Sequence, residues 1–400
     1  VPGPLTGIKV IEMGFWVAAP AAATLLADWG AEVIKVEPPD GDPFRAYFAW
    51  TVGQATQVVP QFELDNRGKR SIVLNLQTEQ GREVMGRLLA GADVFVTNLR
   101  PRVLHRFSLD YETVRARFPR LVYCQISAYG PDGPERDRAA YDVGAFWARG
   151  GVAASVTVPG THPPHQRGGM GDHMTGAIAA GAIAAALLAR ERTGRGQRVS
   201  VPLLRVGAYM MGWDLSMVLR LGTRIETTDR LHPRNPLMNC YQDRDGRWFW
   251  LIGLQSDRHW PDLCRAIGRP DLLTDPRFAT ARARAENAPE LVAELDRVFG
   301  TRTLGEWAEL FDRHGVWWAP VQTLNDLAAD PVAEAAGTFV DVPGPEGPIR
   351  MVSGPVDFSE TPWAAQGPAP ELGQHTEEVL LELGYSWDDL ERLKAQGVII

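Results

Sequence analysis

Asp172 lies in the run Gly168-Gly169-Met170-Gly171-Asp172-His173-Met174-Thr175-Gly176, directly ahead of the alanine-rich stretch Ala177–Ala189. Glycines allow a sharp bend and a close approach of backbone to a ligand. The alanine-rich stretch has high helix propensity. The pattern therefore predicts a single carboxylate at a turn that opens a helix, where unpaired N–H groups and the helix dipole favour the ionised acid. A bare, ionised carboxylate held in place is suited to nucleophilic attack on an acyl group. Aspartate is also among the best helix N-caps, so a purely capping role for Asp172 is the alternative that the rest of the chain has to displace.

Cations cluster at two places. Arg67, Lys69 and Arg70 precede an expected strand, and Arg100, Arg102 and Arg106 follow one. Ligands of open α/β sheets gather at the carboxyl ends of strands, which places the Arg100 group for an anionic ligand. Guanidinium groups match phosphate oxygens in geometry and charge; a solvated charged face is the other reading. Familiar nucleotide motifs are missing. After the first strand the chain reads Glu12-Met13-Gly14-Phe15-Trp16-Val17, which is not Gly-x-Gly-x-x-Gly, and there is no Walker A loop. No Gly-x-Ser-x-Gly elbow occurs. His162 and His165 lie in a proline-rich loop without a third ligand, so no metal is expected.

The elements that must position these residues alternate. Strands are expected at Ile8–Met13, Glu32–Val36, Ile72–Leu76, Val94–Thr97 and Leu121–Ser127, with helices at Ala18–Trp29, Glu79–Ala90 and Tyr111–Phe118. Strand–helix–strand units of this length imply a parallel sheet with right-handed crossovers. Helices at Tyr141–Arg149 and His173–Arg190, a strand at Val199–Val201 and a helix at Leu203–Leu221 extend the layer. The polar stretch Gly222–Pro236, with its breaker cluster His232-Pro233-Arg234-Asn235-Pro236, reads as a linker. A hairpin comes next, Asn239–Asp243 and Arg247–Gly253 about Asp245-Gly246, then helices at Asp257–Ile267, Pro289–Phe299 and Leu304–His314. Short strands are expected in Phe339–Phe358, and closing helices at Thr376–Leu383 and Trp387–Ala395. The expected organisation is a large open α/β domain over 1–221, a linker over 222–236, a smaller α+β domain over 237–325, and a segment over 326–400 that returns to the large domain.

The 400-residue chain carries a formal net charge of −8, which argues against a nucleic-acid partner. Its three cysteines, Cys124, Cys240 and Cys264, form no disulfide framework or metal spacing, which suits a reducing cytoplasm. Val1–Leu5 has no leader pattern. The apolar stretch Ala177–Ala189 is about 13 residues, against the roughly 20 of a bilayer span, so no membrane partner is expected.

Several segments, in order, resemble motifs of the class III, formyl-CoA-transferase-like CoA-transferases. They are Leu5-Thr6-Gly7-Ile8-Lys9-Val10-Ile11-Glu12, Ala31-Glu32-Val33-Ile34-Lys35-Val36-Glu37, Asn66-Arg67-Gly68-Lys69-Arg70-Ser71-Ile72, Asp93-Val94-Phe95-Val96-Thr97-Asn98-Leu99-Arg100-Pro101, Ile126-Ser127-Ala128-Tyr129-Gly130, Gly171-Asp172, Arg192-Thr193-Gly194-Arg195-Gly196-Gln197 and Leu372-Gly373-Gln374-His375-Thr376-Glu377-Glu378-Val379-Leu380. The resemblance covers nearly the whole chain. It implies a Rossmann-like large domain, a smaller domain and an interlocked homodimer. It implies that Asp172 attacks an acyl-CoA thioester, giving a mixed anhydride and then an aspartyl-CoA thioester, which a second carboxylic acid resolves. Coenzyme A enters as substrate, and no tightly bound cofactor is implied.

By matched position Arg106 is a CoA contact, with Lys69, Arg70 and Arg100 as further ones. Val17, Tyr141, Gly169, Gly171 and Gln255 are expected around the acyl group. The family also holds α-methylacyl-CoA racemases, which use a His beside the Asp. Tyr141 stands at that place, and a phenol is a poor base at neutral pH, so transfer is the expected chemistry and Tyr141 shapes the pocket or simply packs. Val17 replaces the Gln of oxalate-using members, and Ile252-Gly253-Leu254-Gln255 stands where they have a glycine-rich loop. The run Ala145-Phe146-Trp147-Ala148-Arg149-Gly150-Gly151 resembles members that handle aryl or branched-chain acids.

Overall fold

The computed structural model describes residues 3–47 and 59–400. Its main sheet has six parallel strands: β1 (Lys9–Met13), β2 (Glu32–Glu37), β3 (Arg70–Val73), β4 (Val94–Thr97), β5 (Val122–Ser127) and β6 (Arg198–Pro202). Their spatial order is β3-β2-β1-β4-β5-β6. The winding reverses between β1 and β4, and such a switch point opens a crevice beyond the carboxyl ends of the two strands. Helix α1 (Ala18–Asp28) leaves β1 at that crevice. Helices α2 (Pro60–Asn66), α3 (Glu79–Ala90), α4 (Pro101–Arg106) and α5 (Tyr111–Arg117) come after it. The two proline-initiated helices, α2 and α4, fall outside the sequence expectation because each is too short to show periodicity.

Helix α6 spans Met170–Thr193, three residues earlier and three later than expected. At 24 residues it is long and apolar enough to cross a membrane by length and composition. Here it lies over α1, β5 and β6, with Ala179, Ala180, Ile183 and Leu187 in the core beneath it. The helix expected at Leu203–Leu221 is two, Leu203–Met210 and Gly212–Leu221, since Met211 leaves helical backbone (ψ 13°) just ahead of a poor helix former, Gly212. The segment after Tyr141 is a π-helix, Val143–Ala148.

By compactness the chain divides into Val1–Ser155, Pro164–Thr223 and Glu334–Ile400 in one unit, and Val156–Pro163 and Arg224–Ala333 in the other. Most of the stretch read as a linker thus belongs to the smaller unit. That unit carries an antiparallel sheet, β7 (Cys240–Gln242), β8 (Trp248–Leu251) and β9 (Trp318–Pro320), over an aromatic core that includes Tyr241, Phe249, Phe299, Trp307 and Phe311. In the larger unit the C-terminal segment covers the edge of β3: His375 N–H donates to the Ser71 carbonyl at 2.9 Å, and Val73 N–H to Thr376 Oγ1 at 3.1 Å. Covered edges do not recruit other strands.

Strands buried on both faces are normally continuous apolar runs. Here Glu12 on β1 and Lys35 and Glu37 on β2 are fully buried. Lys35 Nζ donates to Glu12 Oε1 at 2.9 Å and to the Gly14 carbonyl at 2.9 Å, and pairs with Asp42 at 3.0 Å. Lys69 Nζ reaches Glu12 Oε2 at 2.6 Å, the Pro20 and Asp65 carbonyls, and Asn66 Oδ1. Arg45 forks onto Glu37. The carboxylates of Glu12, Glu37 and Asp42 are matched by Lys35, Lys69 and Arg45. Removing one member of such a set strands its partner in a dry interior. Lys35→Met is expected to cost about 3–5 kcal/mol in a urea unfolding series; a loss below about 1 kcal/mol would show that the network is not held in the folded state.

Candidate active site

A cleft of about 410 Å³ opens at the switch point. The turn after β1 supplies Phe15, Trp16 and Val17; the turn after β4 supplies Asn98, Leu99 and Arg100; the end of β5 and the turn beyond it supply Ile126, Ser127 and Ala128; and the stretch ahead of the π-helix supplies Arg136, Arg138 and Tyr141. Asp172, in the first turn of α6, lies in the same lining. The larger unit alone provides every one of these residues.

The turn at Trp16 is fixed from outside. Phe15 N–H donates to Asn98 Oδ1 at 3.0 Å and Asn98 Nδ2 to the Phe15 carbonyl at 2.7 Å, while Trp16 N–H donates to Asp42 Oδ1 at 3.2 Å. Trp16 sits at φ 65°. A bulky residue in the left-handed region is a true outlier, costing roughly 1–2 kcal/mol. Its indole meets Tyr141 edge to face at 5.6 Å, with Phe44 at 5.8 Å on another side.

The turn that carries Asp172 is also held from two sides. Gly169, at φ 73°, is the N-cap of α6 and offers no side chain to it. Asp172 occupies the third helical position, so the capping alternative for Asp172 does not apply. Asp142 Oδ2 accepts Gly171 N–H at 3.1 Å and Gln166 Nε2, and its Oδ1 accepts Val143 N–H at 2.8 Å. From the other side His173 Nε2 meets Asp65 Oδ1 at 2.9 Å. A Cβ on Gly171 would lie 2.6 Å from Phe146 Cγ, so only glycine fits there. The N–H groups of Gly171 and His173 are both engaged, by Asp142 and by the Gly169 carbonyl. The expectation of free donors around Asp172 is narrowed accordingly.

The expected ionisation of Asp172 is corrected. Burial pushes its pKa from 3.8 to about 7, the nearby Asp142 charge adds to the rise, and His173 opposes it. The helix N-terminus does not offset the loss of water. Burial lowers the His173 pKa, but its hydrogen bond and charge attraction to Asp65 outweigh this and leave it raised.

The other expected site residues divide. Val17, Tyr141 and Arg100 line the cleft with Asp172; Arg100 makes no ion pair among the described residues. Gly169 and Gly171 shape the turn behind it. Lys69 is a correction: its ammonium is buried and filled by four protein acceptors, so it has no N–H left for a ligand. Arg70 is likewise committed to Glu32, Glu378 and Glu382 at the far edge strand. Arg106 is exposed on α4, outside the cleft lining, with Nη2 on Gln77. Gln255 belongs to the smaller unit, where it precedes the helix Ser256–Ala266 and accepts from Arg258. Sequence reasoning missed Arg136, Arg138, Asn98, Asp142, Asp65 and His173. Asn98 and His173 stand inside motif segments and Asp142 inside an expected helix; Arg136, Arg138 and Asp65 carry no local signal.

Comparison with known proteins concerns the whole chain and its fold. A family model described as CoA-transferase family III matches residues 5–376. The (R)-2-hydroxy-4-methylpentanoate CoA-transferase of Clostridioides difficile is 35% identical over 99% of both chains. The cinnamoyl-CoA:phenyllactate CoA-transferase of Clostridium sporogenes is 34% identical over 97% of this chain and 95% of its own. A crystal structure of a CAIB/BAIF family protein from Brucella suis superposes with a TM-score of 0.85 at 31% identity, covering 96% of this chain and all of that one.

The raised pKa of Asp172 has two consequences of opposite sense. The ionised form of Asp172 is lost as pH falls through about 7, so a reaction that depends on this carboxylate is expected to slow below that pH and level off above it. The folded state also holds this proton more tightly than the unfolded chain does, so stability falls as pH rises from about 4 to about 7. Asp172→Asn is therefore expected to raise Tm at pH 8 and to leave it nearly unchanged at pH 4. A Tm difference independent of pH would contradict the assigned shift.

Proposed function

The chain belongs to CoA-transferase family III, and from that premise we propose that Asp172 is the nucleophile with which it moves coenzyme A from an acyl-CoA to a second carboxylic acid. The carrying observation is a lone carboxylate, in the first turn of a helix, lining a cleft at the switch point of the sheet.

In the proposed sequence an Asp172 oxygen adds to the thioester carbonyl and the C–S bond breaks, giving an acyl–aspartyl anhydride and CoA thiolate. The thiolate adds to the aspartyl carbonyl and releases the donor acid, leaving an aspartyl-CoA thioester. The acceptor carboxylate adds to this thioester and expels thiolate. The thiolate then takes the acceptor's acyl carbon, which frees Asp172 and the new acyl-CoA. No net proton or electron is exchanged, so the residues need only orient, hold charge and keep water away. Covalent steps of this kind split one difficult exchange into several easier ones. Arg100, Arg136 and Arg138 are the proposed seats for the phosphates of CoA, in place of Lys69 and Arg70, and Arg106 is retained for the outer part of the nucleotide. Proton exchange at an α-carbon is not favoured, since Tyr141 occupies the place of the second acid–base group.

The proposed working form is a homodimer, interlocked as the family resemblance implies. Its support is helix Gly212–Leu221, which buries none of its residues and leaves Trp213 85% and Leu219 78% exposed. Apolar surface of this kind marks an interaction site. We also place the protein in a reducing cytoplasm, on its free thiols Cys124, Cys240 and Cys264.

Incubation with an acyl-CoA and no acceptor is expected to leave CoA on the peptide that contains Asp172, detected by mass spectrometry. Asp172→Asn is expected to lower turnover at least 10³-fold; near-normal transfer by that variant would remove Asp172 from the mechanism. In light scattering the parent should weigh two chains, and Trp213→Glu with Leu219→Glu should shift it toward one.

A further inference from the structure

The backbone at Trp16 is of a kind that glycine or asparagine adopts without penalty and that a branched or bulky side chain resists. Trp16 nevertheless stands at φ 65°, and three hydrogen bonds from Asn98 and Asp42 hold the turn in that shape. A residue kept against its backbone preference at a cleft points to what its side chain does there. The indole is only half-buried and forms part of the cleft wall together with Asp172. On its inner side Trp16 packs against the small core of Phe44, Val59 and Phe62 and meets Tyr47 edge-on at 6.2 Å, while the half-buried ring also forms part of the cleft lining.

On the cleft side, Trp16 and Tyr141 meet at 83° and 5.6 Å, which makes an open right-angled corner of two rings. Tyr141 is 61% exposed and so presents most of its ring to an incoming group. The same cleft lining includes the small or apolar Val17, Ala128, Ala139, Ala140 and Leu203, with Asn98 and Ser127 as its uncharged polar members. The cations of the cleft carry different weights. Arg138 is already paired with Glu135, and Arg136 lies 3.5 Å from Asp137. A right-angled pair of rings accepts a third ring edge-on to one and face-on to the other, and it gives little to a short chain ending in a charge.

We infer that Trp16 and Tyr141 are the specificity-determining pair of this site, and that they select aryl or similarly bulky planar acyl groups over short aliphatic and dicarboxylic ones. The inference rests on the transfer reading for the identity of the ligand as an acyl-CoA, and it assigns the corner to the acyl group, away from the phosphates.

The test measures binding, so that it stands apart from turnover. In the Asp172→Asn background, which cannot form the anhydride, calorimetry compares cinnamoyl-CoA, acetyl-CoA and succinyl-CoA. Cinnamoyl-CoA is expected to bind at least tenfold more tightly than either of the others. Trp16→Gly, which also relaxes the backbone, is expected to bring the three within threefold of one another; Trp16→Asn and Tyr141→Ala serve as second variants should the first fold poorly. Equal affinities in the unaltered corner overturn the inference. So does a preference for cinnamoyl-CoA that survives Trp16→Gly, and so does a preference for succinyl-CoA. Failure of the transfer reading shows separately, as missing CoA on Asp172 in the catalytically intact chain.

Discussion

A charge network that never meets solvent fixes the geometry of the cleft. Glu12 stands at the centre, one oxygen toward Lys35 and the other toward Lys69. Lys35 extends the chain of charge to Asp42, and Asp42 in turn holds the amide of Trp16. Lys69 gathers the carbonyls of Pro20 in α1 and Asp65 in α2, and Asp65 holds His173 beside Asp172. One connected set of ion pairs and hydrogen bonds thus sets both the wall of the cleft and one of the two fastenings of the turn that carries Asp172. Buried pairs of this sort are commonly no more stabilising than well-packed apolar residues. What they supply here is direction: each ammonium is held by several acceptors at once, so the loops beyond β1 and β2 have few other arrangements open to them.

The turn that carries Asp172 breaks local rules and is compensated for it. Its N-cap is a left-handed glycine with no capping side chain, and its first acidic residue lies close to two other carboxylates, Asp142 and Asp65. Such a helix start is weak by propensity. Asp142 takes over part of the capping by accepting the Gly171 amide, and the His173 imidazole meets Asp65 Oδ1 at 2.9 Å on the other side. Conflicts between local preference and global fold are expected where function is placed. The Trp16 turn is a second instance, strained in the backbone and held by side chains remote in sequence.

Much of this was legible in the residues. The six strands of the main sheet, their parallel pairing and the helix behind Asp172 follow from apolar runs separated by helical periodicity, because burial on both faces leaves a strong pattern. The turn at Gly168–Asp172 was legible because glycines and one acid ahead of a long alanine-rich run have few structural uses. The ionisation of Asp172 was not: the sequence shows the favourable dipole but not how much water the fold removes, and the second effect is larger. Lys69 was misplaced for a related reason. A cation before a strand looks solvated until the strand's neighbours are known, and its acceptors come from β1, α1 and α2, far apart in the chain. Arg136, Arg138 and Asp65 stand in stretches with no periodicity, and only the closing of the sheet at its switch point brings the two arginines beside Asp172.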